Sequence, residues 1–92
     1  MKVHDLKTDV EYLDEITTYE KPFECRLNDR DFDEGDILVL REYDRGTDKY
    51  GHKAVVCLVT YILNDHFPGV TKGYVIMGIK LLHKKERSLT SA

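Results

Sequence analysis

Cysteine and proline are scarce in this chain, with two of each in 92 residues. Cys25 and Cys57 stand far apart without Cys-x-x-Cys spacing. They offer neither a disulfide framework nor the ligand spacing of a zinc site, and both are expected to be reduced and buried as small hydrophobes. Long apolar runs are missing too. The longest, Ala54 to Val59, falls far short of the roughly 20 residues that cross a bilayer. The start, Met1 to Lys7, lacks the apolar core of a secretory signal, so the expected location is the cytoplasm, away from membranes. A basic excess is also absent: the net charge is −3. Binding of nucleic acid through a global positive field is thereby excluded, and any such contact must come from a local pocket.

What is present is the profile of one compact domain, with 41% hydrophobic and 34% charged residues and no low-complexity tract. The charge is divided. Residues 1 to 36 carry 5 Lys and Arg against 12 Asp and Glu, whereas residues 37 to 92 carry 9 against 5. A chain of this size supports one modest core, and a site on it is a surface cleft.

Val3 to Leu6 reads as a short strand. Thr8-Asp9-Val10-Glu11 has the form of a capping box, so a helix is expected from about Thr8, buried along Val10, Leu13 and Ile16 and stopped by Pro22. From Phe23 to Leu27 the alternation places Phe23, Cys25 and Leu27 on one face of a strand and Glu24 and Arg26 on the other. A turn-rich stretch from Asn28 to Asp36 leads into a strand from Ile37 through Tyr43, and Asp44 to Gly51 reads as a hairpin loop. Ala54 to Leu63 and Tyr74 to Leu82 are longer runs, apolar on both faces, as in a closed or doubly covered sheet. Gly78 marks a bulge or sharp bend in the second. The expected fold is α+β and mainly β: a small barrel of about five strands with one N-terminal helix packed against it. Residues 1 to 82 form the domain and 83 to 92 a flexible tail.

The sharpest constellation is Lys21, Glu24 and Arg26, in which ammonium, carboxylate and guanidinium converge on one strand face. Such a group holds a phosphate or the edge of a base, or else is a structural ion-pair network closing a barrel rim. The triad Asp29, Asp31 and Asp33 does not make a calcium loop, because an EF-hand begun at Asp29 needs Gly and Glu where Glu34 and Leu40 stand. The four histidines are scattered and read individually as surface or core residues. Tyr50 and Phe67, expected in loops, are the aromatic residues best placed to stack on bases.

Lys-x-x-Glu-x-Arg after a helix, then Asn-Asp-Arg-x-Phe, Gly-Asp-Ile-Leu and a late Gly-Tyr-Val-x-Met, resemble the ASCH (activating signal cointegrator homology) domain. They resemble more closely its small stand-alone bacterial and phage branch, a domain of unknown function. The resemblance covers about Met1 to Leu82 and implies a PUA-like β-barrel that binds RNA in a cleft lined by Lys21, Glu24 and Arg26, supported by Asn28 and Arg30. Two positions depart from it. Tyr19 stands where the family usually has Gly, and Pro22 where a small or hydroxyl residue is common. Tyr19 resists a left-handed conformation, so the loop that aims Lys21 is expected to differ from the family's.

The leading expectation is a non-enzymatic RNA- or nucleotide-binding module without metal or cofactor. A second is a small hydrolase on RNA or a modified nucleoside, with Lys21 and Glu24 as its catalytic groups. Some ASCH-like proteins resemble amidohydrolases that use Lys-x-x-Thr, but Glu24 occupies the Thr position here and cannot replace its hydroxyl. A third is a protein-interaction domain that uses the acidic half or a sheet edge. The oligomeric state is open.

Overall fold

The computed structural model describes residues 1–86, and the chain order is β1 (Val3–Thr8), α1 (Val10–Thr17), β2 (Phe23–Leu27), β3 (Ile37–Asp44), β4 (Lys49–Leu63) and β5 (Tyr74–Glu86). The strands form one sheet in the order β1-β3-β4-β5-β2, curled into a half-barrel, so the fold is mainly β with one short helix. Strand β1 runs parallel to β3, and the other pairs are antiparallel.

Alternation selects the inner face. Leu6, Leu38, Leu40, Val55, Cys57, Val59, Val75, Met77 and Ile79 are buried there, and Leu13 and Ile16 of α1 pack into the same cluster against β3, β4 and β5. Intervening residues such as Ile37, Val39, Val56, Leu58 and Ile76 are half-buried on the outer face. That face explains the apolar runs that lack clean alternation. Gly78 pairs with both Phe23 and Tyr61 beside a register shift in β4, and a Cβ on it would stand 3.0 Å from Thr60 Oγ1. The bend expected at Gly78 is thus a bulge carried by the partner strand.

Several boundaries differ from the expectation. The helix begins at Val10, not Thr8, because Thr8 belongs to β1 and its hydroxyl is engaged by Arg26; Asp9 is the N-cap residue and makes no side-chain cap. Val10 is exposed, leaving Leu13 and Ile16 to anchor the helix. The helix ends at Thr17, well before Pro22. Glu20 N–H donates to Glu15 O (2.9 Å) and Tyr19 N–H to Ile16 O (3.1 Å), the paired bonds of a Schellman loop. Tyr19 adopts the left-handed conformation that such a loop requires, with φ +63, contrary to the expectation for a residue with a Cβ.

Two further corrections concern β4 and β5. The β3–β4 connection is shorter than expected, with Asp44 paired to Lys49, so Tyr50 lies on a strand. Strand β5 continues to Glu86, and His83, Lys84 and Lys85 pair with β4, where a tail was expected; residues 87–92 of that tail lie outside the described residues.

At the N-terminal end Asp36 accepts hydrogen bonds from His4 Nε2 (2.9 Å), Lys2 N–H (2.9 Å) and Asp33 N–H (3.0 Å). Burial opposes its charge, but these donors outweigh that cost and lower its pKa from 3.8 to about 2. His4 is a satisfied core residue, packed edge-on to Phe32 at 4.6 Å.

A candidate ligand cleft at the barrel seam

β1 and β2 stand at opposite ends of the strand order, and the curl brings them to face one another. Their gap is spanned by side chains. Arg26 Nη2 donates to Thr8 Oγ1 (2.9 Å) and Lys7 O (3.1 Å), and Arg30 Nη1 donates to Asp5 O (3.2 Å). Guanidinium groups close the seam here because their fork reaches an edge strand's unpaired carbonyls.

Along this seam lies a cleft of about 350 Å³ whose walls include Lys7, Thr8, Tyr12, Lys21, Glu24 and Arg26. The register of β2 on β5 places Glu24 opposite Met77 and Arg26 opposite Val75, at the margin of the core. Glu24 is only 3% exposed. Its Oε1 accepts from Lys21 Nζ, and its Oε2 accepts from Arg26 Nε at 2.9 Å. A carboxylate this deep is tolerable only when paired and hydrogen-bonded, and two cations supply both conditions. The Lys21 ammonium also lies 5.0 Å from the Tyr12 ring centroid and 5.5 Å from that of Phe23. Tyr12 and Phe23 are both large, partly exposed rings at the cleft mouth.

The Glu24 side of β2 therefore faces inward while Phe23, Cys25 and Leu27 are exposed. Cys25 was expected to be buried and is not; only Cys57 is. Burial, aided by the nearby Glu24 charge against the opposing Lys21, pushes the Cys57 thiol up to about 11.

The other expected site residues divide. Arg30 lines a second cavity of about 420 Å³ that shares Lys7, Arg26 and Arg45 with the cleft and also reaches Tyr50. Asn28 is used within its own turn, where its Oδ1 accepts Phe32 N–H at 3.0 Å. Phe67 is exposed on the β4–β5 loop and lines neither cavity. Sequence reasoning missed Lys7, Thr8, Tyr12, Phe23 and Arg45. Lys7, Thr8 and Arg45 reach the site only through the curl of the sheet, Tyr12 stands on the exposed side of α1, and alternation alone places Phe23 on the strand face opposite Glu24.

The site thus defines a small half-barrel protein with a cation-lined, aromatic-rimmed cleft at its open seam. Residues 3–79 match the family described as a domain of unknown function, DUF3850, and the chain belongs to that family. No curated protein matches it.

Proposed function

We propose that the protein is a cytoplasmic RNA- or nucleotide-binding module without turnover of its own. The observation that carries this reading is the buried Glu24 carboxylate held between Lys21 and Arg26, with the Tyr12 and Phe23 rings about the Lys21 ammonium. Each carboxylate oxygen keeps a lone pair that can accept from the amino group of a base. Tyr12 and Phe23 offer stacking faces, while Lys7, Arg26 and Arg45 supply cations for a phosphate. The volume of about 350 Å³ lies within the usual range for small ligands. The resemblance of the Lys-x-x-Glu-x-Arg segment to PUA-like ASCH domains of bacteria and phages supports the same ligand class.

Binding is favoured over hydrolysis by the partners of the reactive groups. The Lys21 ammonium is tied to Glu24, and the Thr8 hydroxyl in the cleft meets Arg26, which cannot act as a base. The test is an amide-resolved NMR titration with single-stranded RNA and a nucleoside panel at low and near-physiological salt. Shifts are expected to centre on Lys21, Glu24 and Arg26 and to weaken as salt rises. Lys21→Ala is expected to lower affinity roughly tenfold or more, the usual scale of a lost charge-assisted hydrogen bond. Cleft amides that stay unmoved by every ligand would overturn the reading.

A further inference from the structure

The cleft does not end at Arg26. The second cavity continues from it through Lys7, Arg26 and Arg45, and a third of about 330 Å³ continues from the second through Tyr50. The third is lined by Arg41, His52, Lys53 and Lys85, and the Glu42 carboxylate beside Gly51 accepts Lys53 N–H at 3.1 Å. The first two contain acidic residues, but several are engaged: Asp9 pairs with Arg45 at 3.5 Å, Asp5 with Arg41 at 2.7 Å, and Glu24 with Lys21 and Arg26. Cationic side chains therefore recur along three adjoining hollows, and those of the third include Arg41, held by Asp5, and Lys53, whose ammonium meets Asp14 at 3.1 Å.

We propose that the ligand is a single-stranded oligonucleotide of about three residues that follows this track from Lys21 past Tyr50 to Lys85, and not a lone nucleotide. The inference rests on the binding function proposed above and extends it to the substrate's length. A phosphodiester chain carries one negative charge per nucleotide, so it needs cations that recur at each step, as they do here. It also needs separate aromatic platforms. Tyr12 and Phe23 flank the first cavity, and Tyr50 joins the second to the third, exposed and propped against Tyr43 with ring centroids 5.2 Å apart. Rings of this kind meet bases that are unstacked, which favours a single strand over a duplex. The third cavity exists because β5 runs on to Glu86 and brings Lys85 alongside β4.

The test is fluorescence anisotropy with end-labelled uridine oligonucleotides of one, two, three and five residues, at several salt concentrations, alongside a labelled RNA duplex. Affinity is expected to climb through three residues and then level off. The salt slope is expected to steepen by about 0.7 for each phosphate engaged. Lys85→Glu should weaken the trinucleotide severalfold while leaving the mononucleotide unchanged, and Tyr50→Ala should weaken the trinucleotide about tenfold. Both side chains are exposed, and matching thermal melts would establish that the variants are folded. Equal affinity for one and three residues, or indifference of the trinucleotide to both substitutions, overturns the extended track while leaving the single-nucleotide cleft intact. Preference for the duplex also overturns it. Failure of every oligonucleotide to bind removes the binding function and the track together.

Discussion

Tyr19 and Asp36 show how single residues hold the site from a distance. Tyr19 closes the helix in a left-handed conformation that costs a residue with a Cβ roughly 1–2 kcal/mol, and the residue is 72% exposed, so little packing repays that cost. Tyr19→Gly is expected to stabilise the protein by about 1 kcal/mol, raising the thermal midpoint by about 4–8 °C in a calorimetric scan. Asp36 acts at the other end of β1, where one carboxylate organises the Lys2 and Asp33 backbone and the His4 ring. Its pKa is depressed from 3.8 to about 2 in the folded state. The stability it contributes is therefore fully present above about pH 4 and is lost as pH falls towards about 2. Asp36→Asn is expected to cost about 2 kcal/mol at neutral pH and to flatten acid denaturation across that window, as measured by urea unfolding at a series of pH values.

Strand β2 shows both the power and the limit of alternation. The pattern from Phe23 to Leu27 correctly separated Glu24 and Arg26 from Phe23, Cys25 and Leu27. It did not say that the charged face turns inward, because that depends on two cations meeting Glu24 and on β1 standing across the seam. The cysteines report this orientation chemically. Treatment of the native protein with iodoacetamide at pH 8 is expected to modify Cys25 alone, and Cys57 only after unfolding, as read by mass spectrometry. Helix α1 is a parallel case. Leu13 and Ile16 were legible as its buried stripe, but the Thr8 to Glu11 capping signal was not realised, since Arg26 draws the Thr8 hydroxyl into the seam. Strand β5 was read four residues short because His83 to Glu86 is charged, and a polar segment paired along one side with β4 has no apolar period to reveal it.

At the scale of the whole molecule, the acidic balance and the cationic track coexist because charge is distributed by folding and not by composition. Lys7, Lys21, Arg26 and Arg45 come from three separate stretches of chain, β1, the Lys21–Arg26 segment and the β3–β4 turn, and the curl of the sheet collects them around one opening. Other carboxylates are drawn into pairs of their own, such as Asp33 with Lys2 at 2.9 Å and, beside the third cavity, Asp14 with Lys53 at 3.1 Å. The mainly β class, the single helix, the turn at Asn28 to Asp36 and the shared face of Glu24 and Arg26 followed from sequence alone, because turn chemistry and period-two alternation are local properties of the chain. That β1 meets β2, that Arg26 and Arg30 clasp β1 carbonyls, and that Tyr50 and Lys85 prolong the cleft were decided only by tertiary structure. The strand order and the accumulated curl of five strands set which edges face each other, and no short stretch of residues carries that information.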